Sequence, residues 1–227
     1  MESYSVSQIS TIIAAVGAVG TAAFGLVDSF KVLPGGGISR AGFKFIRQTI
    51  LKLAPEVASL NGTELSRDSL LYTLQSQWIN GTASTDQINI AKSLIKLRLT
   101  PETAAALAAA TGVDAAILSQ IAASIQSGTA LTTQQSDVYG RFDLLLTTLL
   151  DQAYQRADQR YRNCAKAAAV PVAVALALIA ALAMPQHQIT ITQAILVGLI
   201  ATPIAPVAKD IASAITTAGK AMQSLGA

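Results

Sequence analysis

Charge is scarce in this sequence. Asp, Glu, Lys and Arg supply only 13% of the 227 residues, whereas 52% of the residues are hydrophobic. Soluble domains contain about 25% charged residues, because their surfaces face water. The shortage of charge therefore argues against an ordinary soluble domain and indicates a membrane protein.

Cysteine and histidine are also scarce. The single cysteine, Cys164, excludes an intrachain disulfide and agrees with a reducing compartment. The single histidine, His187, excludes a pair of histidines at a metal or catalytic site. The sequence has no P-loop, no dinucleotide-binding fingerprint and no Gly-x-Ser-x-Gly elbow. We therefore expect a protein that is not an enzyme, with no catalytic residue, no metal and no cofactor.

Three long stretches contain no charged residue at all. They cover 3–27, 167–186 and 188–208, which are 25, 20 and 21 residues long. About 20 residues of helix cross the ~30 Å hydrocarbon core of a bilayer. The sequence therefore predicts three transmembrane spans. Two alternatives stay open: a cleavable signal in the first stretch, and buried core helices of a soluble protein for all three.

The basic residues predict the orientation of these spans. They follow the first stretch, precede the second or follow the third: Lys31, Arg40, Lys44, Arg47, Lys52, Arg156, Arg160, Arg162, Lys166, Lys209 and Lys220. All of these positions lie on one side of the predicted membrane, which the positive-inside rule assigns to the cytoplasm. We therefore expect an external N-terminus, a cytoplasmic main domain, a cytoplasmic C-terminus and a location in a bacterial-type inner (plasma) membrane.

A flexible joint follows the first span. Pro34 ends a helix, and Gly35, Gly36 and Gly37 allow a sharp turn because glycine has no β-carbon. The next residues have helical periodicity, with an apolar face beside a basic one. The predicted membrane-interface helix comprises Arg40, Phe43, Lys44, Ile46, Arg47, Ile50 and Lys52.

This amphipathic helix has two interpretations. In the first, its apolar face enters the bilayer and its cations bind anionic lipid headgroups. In the second, the apolar face packs on the cytoplasmic domain and the cations are solvated. We favour the first, and we expect the lipid bilayer, including its anionic headgroups, as a partner.

The residues between the joint and the second span predict a helical domain. Thr100 and Asp114 are suited to helix N-caps, and Gly112 to the end of a helix. "SLIKLRL" alternates like a strand, but it lacks a partner strand, so we expect a helix there. A long helix is predicted from Thr133 to Met184, continuous into the second span. The stretch Asp114 to Gln126 contains no Lys, Arg or Asn, so we expect no nucleic-acid partner.

Small residues recur every fourth position within the predicted spans. Such rows allow helices to approach closely in a membrane. The predicted helix-packing residues are Ala14, Gly17, Ala18, Thr21, Ala22, Gly25, Gly198 and Thr202. Because the first span has two such rows, one for its own hairpin and one for another subunit, we expect a homo-oligomer.

The fold class expected is therefore all-α: a three-span integral membrane protein with a helical cytoplasmic domain between spans 1 and 2. The predicted parts are transmembrane helix 1, the joint with its basic interface helix, the cytoplasmic domain, the transmembrane hairpin of spans 2 and 3, and an amphipathic cytoplasmic tail. Their boundaries are 3–30, 34–54, 55–165, 166–208 and 209–227.

Two functions compete. The first is a non-enzymatic scaffold or anchor whose helical cytoplasmic domain assembles or recruits a protein partner. The second is an oligomeric channel or stator-like transporter, because the order of spans and loops resembles that of proton-driven stator subunits related to biopolymer-transport and flagellar motor proteins. Those families have polar or acidic groups along the ion path, whereas "AAAVPVAVALALIAALAM" has none. No functional residue is therefore carried over from them, and we favour the scaffold.

Overall fold

The computed structural model describes residues 5–30, 37–183 and 189–208, and residues 210, 211, 213–215, 217 and 218 of the C-terminal segment. Within these ranges every regular element is helical and no strand occurs, so the expected all-α class is confirmed. The helices are α1 (Val6–Ser29), α2 (Ser39–Leu53), α3 (Arg67–Ile79), α4 (Ser84–Leu97), α5 (Pro101–Thr111), α6 (Ala115–Ser127), α7 (Thr133–Ala183) and α8 (Ile191–Ile204), with a 3-10 turn at Ala58–Leu60.

The chain divides into two compact units. Unit 1 contains residues 1–34 and 162–227, and unit 2 contains residues 35–161. The boundary falls inside α7, between Tyr161 and Arg162. Helix α7 therefore contributes its first part to unit 2 and its second part to unit 1.

The helix ends in unit 2 follow the capping residues predicted from the sequence. The Thr100 side chain accepts a hydrogen bond from the Thr103 N–H at 3.2 Å, and the Asp114 carboxylate accepts one from the Ile117 N–H at 2.9 Å. Gly112 ends α5 with a φ of 73°, in the left-handed region that favours glycine. These interactions satisfy backbone groups that a helix end leaves without partners. Helix α4 includes most of "SLIKLRL", as expected.

The core of unit 2 is built from large apolar side chains. Helices α2 and α7 contribute Phe43, Ile46, Ile50, Phe142 and Leu146, all buried. Gly42 allows the two helices to touch, since a β-carbon there would lie 2.6 Å from the Ala157 carbonyl oxygen. Close contact of this kind places large residues of both helices in one core. This is the arrangement expected of a domain in water.

The apolar face of α2 corrects a prediction. Phe43 is only 5% exposed, and Ile46 and Ile50 are fully buried. Because these side chains are in the core of unit 2, they are not available to enter a bilayer. The second interpretation of this helix therefore holds for its apolar face, and the lipid-facing role predicted for Phe43, Ile46 and Ile50 is wrong.

A tryptophan fixes the start of α2. The Trp78 indole N–H donates a hydrogen bond to the Ser39 carbonyl at 2.9 Å. Its ring also lies 6.3 Å from that of Tyr154 and 6.4 Å from that of Tyr161, measured between centroids. The first residues of α2 are thus held by α3 and by the part of α7 in unit 2.

A buried arginine holds the segment between α2 and α3. Arg98 is only 1% exposed, and its guanidinium donates to the carbonyls of Pro55 and Leu65. Its own carbonyl accepts from the Thr103 hydroxyl at 2.6 Å. Burial, with a smaller contribution from the positive charge of Arg67, lowers the pKa of Arg98 below its ordinary value. Arg98 therefore bridges two ends of a segment that has little regular structure.

We expect Arg98→Met to release the segment 55–66. Methionine fills a similar apolar volume but cannot donate to the two carbonyls, so unit 2 should lose about 1–3 kcal/mol of stability. Limited proteolysis should show faster cleavage within 55–66. The control is Arg141→Met, which removes an exposed cation from α7. Equal cleavage rates in the two variants would contradict the role assigned to Arg98.

Candidate functional site

The helix contacts within unit 1 form the candidate functional site, because they involve three of the eight small residues predicted to pack helices together: Gly17, Gly198 and Thr202. Among the described residues of unit 1, no buried side chain is larger than valine. We call this set the small-residue core: Val16, Gly17, Gly20, Ala23, Val27, Ala169, Ala173, Ala177, Ala181, Ala194, Gly198, Ala201, Thr202 and Ala208. Small residues at helix contacts are typical of membrane proteins.

Three glycines of this core lie directly against neighbouring helices. A β-carbon on Gly20 would lie 2.2 Å from the Ala201 carbonyl oxygen, and one on Gly198 would lie 2.4 Å from the Val174 Cα. A β-carbon on Gly17 would lie 2.1 Å from the Ala208 Cβ. Any side chain at these positions would force the helices apart. The packing of unit 1 therefore requires glycine at these three positions.

Most large apolar side chains in the described part of unit 1 lie outside this core, although Leu178 and Ile189 pack against its alanines. Most of the exposed large hydrophobic side chains in the described residues belong to unit 1, including Leu182 at 72% exposure and Leu196 at 56%. Burying such a side chain is worth about 1.5–3 kcal/mol in water. Unit 1 therefore has the reverse of the distribution seen in unit 2, with small side chains inside and large ones outside.

Two helices are long and apolar enough to cross a membrane. They are α1, with a mean hydropathy of 1.9, and α7, whose most apolar window reaches 2.2. Only 22% of either window is buried, whereas the core helix of a soluble protein is mostly buried. The third predicted span is not shown by this criterion, because α8 has 14 residues and rises only about 21 Å.

Proline explains where α8 ends. The third predicted span covers 188–208, but the regular helix stops at Ile204 and a turn occupies 205–207. Pro203 lies in the last turn of α8, and Pro206 lies in the turn that follows. Proline lacks an N–H and so cannot form the helical hydrogen bond to the carbonyl four residues earlier.

The predicted helix-packing residues have different positions in the structure. Gly17, Gly198 and Thr202 are buried in the small-residue core. The other five are exposed on α1, and we call them the exposed small row: Ala14, Ala18, Thr21, Ala22 and Gly25. The structure therefore brings together one part of the predicted set, while the role of the exposed small row stays a prediction.

Sequence reasoning missed several members of the small-residue core. The alanines of α7 recur every fourth residue, at Ala169, Ala173, Ala177 and Ala181. Their spacing was a usable signal, since residues four apart lie on one helical face. In α1 the buried face includes Gly20 and was missed, because alanine and glycine occur on both sides of this helix and the sequence does not say which side packs on α8.

Hydroxyl groups on α1 have partners within the helix itself. The side chains of Thr11, Thr21 and Ser29 donate to the carbonyls of Ser7, Gly17 and Gly25, at 2.8 to 3.0 Å. Each hydroxyl proton is thus bound within α1, as is common for Ser and Thr in helices.

The predicted joint is described only in part. Pro34, Gly35 and Gly36 lie outside the described residues. Gly37 adopts a φ of 47°, and its carbonyl accepts a hydrogen bond from the Arg40 N–H at 3.3 Å. A positive φ of this kind favours glycine. The predicted interface cations on α2 are all exposed: Arg40, Lys44, Arg47 and Lys52.

Comparison with known proteins leaves the geometry as the main guide to function. No protein-family model matches the chain, and neither the curated proteins nor the solved structures include a match. Within the residues that the structure describes, no group of three or more His, Cys, Asp or Glu side chains is placed to hold a metal ion.

We expect Gly20→Ala to destabilise the packing of α1 against α8. The new methyl group would overlap backbone atoms of Ala201, and overpacking of this kind costs about 1–3 kcal/mol. Circular dichroism would measure this loss while the full chain, purified in mild detergent, is titrated with a denaturing detergent.

Gly25→Ala is the matched control. It makes the same change in the same helix, but a β-carbon at Gly25 has no neighbour within 4 Å. Alanine has a higher helix propensity than glycine, so this variant should be as stable as the wild type or slightly more stable. If Gly20→Ala and Gly25→Ala had equal stability, the close contact at Gly20 would not support unit 1.

Proposed function

We propose that this chain is a non-enzymatic integral membrane protein that assembles as a homo-oligomeric scaffold or anchor. Its proposed location is a bacterial-type inner membrane, with three spans and a helical cytoplasmic domain. The observation that carries the membrane part is the reversed distribution of side chains in unit 1. Exposed leucine and isoleucine are costly in water, but they have no such cost beside lipid tails, which are equally apolar.

The proposed orientation has the start of α1 outside and unit 2 in the cytoplasm. The basic residues support it, since they flank the predicted spans on one side only. Helix α8 would form the third span together with the helical residues that follow it. A helix shorter than the bilayer is accommodated by local thinning or by packing against its neighbours, and the contact of Gly198 with Val174 supplies such packing.

Assembly is proposed to use the exposed small row of α1. Ala18 lies about 200° around the helix from Val16 and from Gly20, so it is nearly opposite the face that packs inside unit 1. Lipid tails do not require small side chains, but a second helix does, because its backbone must approach closely. An α1 with contacts in two subunits would therefore have small residues on two sides, one buried within unit 1 and one exposed.

Unit 2 supplies the part of the scaffold that faces water. It has its own core of large side chains, and its surface carries charged residues from every long helix except α6. An ion pair network also joins α4 to α7, since Asp143 binds Lys92 at 3.3 Å and Lys96 at 2.9 Å. A stable helical domain of this kind is suited to recruiting a protein partner to the membrane.

Native mass spectrometry of the full chain in mild detergent or nanodiscs tests the assembly. We expect a single closed stoichiometry for the wild type. Ala18→Leu should shift the particle toward monomer, because leucine would hold apart helices that meet at the exposed small row. The protein should remain folded, since this side of α1 is exposed in the single chain.

Ala180→Leu is the matched control, as Ala180 is an exposed alanine on the apolar part of α7. It adds the same volume at a position outside the exposed small row and should leave the stoichiometry unchanged. A wild-type chain that stays monomeric at every concentration would overturn the proposal. So would an Ala18→Leu variant that assembles like the wild type.

A further inference from the structure

Unit 2 contains a small polar cavity between α2, α5 and α7. Its volume is about 260 Å³, below the ~300–1,000 Å³ of pockets that hold drug-sized ligands. Two cationic side chains line it, Lys52 and Arg156, together with the uncharged polar side chains of Gln48, Thr49 and Gln152. The remaining lining is apolar, and none of the lining residues is acidic. A cavity with this lining is suited to a small anion.

The cavity lies at one end of a longer cationic surface. Gly42 of α2 touches Ala157 of α7, and further along α2 Gln48 shares the cavity with Gln152. The two helices are therefore antiparallel, because residue numbers rise along one helix as they fall along the other. Residues four apart lie on the same helical face. In this register Lys44 lies opposite Arg156.

Two rows of polar side chains result, one on each helix. Each row repeats every fourth residue, and the register that pairs Gln48 with Gln152 also pairs Arg40 with Arg160. All members are exposed. We call them the basic double row: Arg40, Lys44, Gln48 and Lys52 on α2, with Gln152, Arg156 and Arg160 on α7.

No side chain of the basic double row has an ion pair or a hydrogen-bonding partner in the part of the chain that the structure describes. Elsewhere in unit 2, Lys92 and Lys96 bind Asp143 and Arg67 binds Glu56, whereas the isolated cations Arg47 and Arg141 have no such partner within the described residues. Five cations along one surface without a carboxylate repel one another. An anion bound among them would reduce that repulsion.

We propose that the cavity binds a phosphate-bearing ligand and that the basic double row extends its positive field. A guanidinium can bind two phosphate oxygens at once, and an ammonium supplies a point charge; Arg156 and Lys52 provide one of each in the cavity lining. The side-chain amides of Gln48 and Gln152 add uncharged donors between them. A phosphate has several acceptor oxygens and up to two negative charges, so it uses both kinds of group.

Two sources have this chemistry. One is the headgroup of an anionic phospholipid, and this source rests on the proposed function, since it requires unit 2 to lie beside a membrane. The other is a soluble phosphate compound, which requires no membrane. The phosphate site is the same in both cases, so one pair of variants tests it and two probes distinguish the sources.

The test uses the full chain purified in an uncharged detergent. Native mass spectrometry with phosphatidic acid and with phosphatidylcholine counts the lipids retained, and a separate calorimetric titration uses inorganic pyrophosphate. The test variant is Lys52→Gln with Arg156→Gln, which removes both cavity cations. The control is Arg47→Gln with Arg141→Gln, which removes two exposed cations from the same helices that do not line the cavity.

We expect the test variant to bind at least one probe about tenfold more weakly than the control does. Selective loss of phosphatidic acid binding identifies a lipid source, and selective loss of pyrophosphate binding identifies a soluble one. Equal loss in the two double variants, or no binding of either probe by the wild type, overturns the proposal. Pyrophosphate binding and the stoichiometry of the particle are independent readouts, so failure of the phosphate site is distinguishable from failure of the scaffold.

Discussion

Two helix backbones touch only where no side chain stands between them, and the packing of unit 1 depends on this constraint. Gly20 lies against the carbonyl of Ala201, and Gly198 lies against the backbone of Val174. These two contacts bring α1, α8 and the second part of α7 into one bundle. Because the fully buried positions of that bundle hold only glycine, alanine, valine and threonine, the larger side chains lie at its edge or on its outer surface. The exposed leucines and isoleucines of unit 1 thus follow from the same geometry as its glycines.

Unit 2 is also built from α-helices, but its side chains have the opposite distribution. Its buried positions include Phe142, Leu146 and Leu150, and its charged residues are mostly at the surface. The exception is Arg98, whose charge is enclosed by backbone carbonyls and not by a carboxylate. Burial of a cation is costly, so Arg98 persists because it holds together a segment that lacks helical hydrogen bonds of its own.

Local signals explain the part of the fold that could be predicted from the sequence. Thr100, Gly112 and Asp114 are caps whose action depends only on residues within one turn of the helix. The packing of one helix against another could not be predicted in the same way. The apolar face of α2 suits a bilayer and a protein core equally well. Its burial against α7 depends on the contacts of Gly42 with Ala157 and Trp78, which are distant from α2 in sequence. Nothing in the sequence distinguishes Arg98 from the other basic residues, since its partners are backbone groups 33 and 43 residues away.

Within the candidate site, too, the sequence of one helix does not identify its packing partners. Both faces of α1 contain small residues, so periodicity identifies two possible contacts without assigning a partner to either. Helix α7 adds a direct comparison. Before residue 161 its buried positions include phenylalanine, leucine and tyrosine beside two alanines, whereas after residue 162 every buried position in the described part of α7 is alanine. Helical periodicity is kept across that boundary, whereas large side chains no longer occur at the buried positions. In water, each large side chain left exposed on the second part of α7 would lose about 1.5–3 kcal/mol of the stabilisation that burial provides. In hydrocarbon the same exposure would have no such cost, because the surrounding lipid tails are as apolar as leucine. The proposed change of solvent along α7, from water to hydrocarbon, would account for both of its parts, whereas a single aqueous environment would account only for the first.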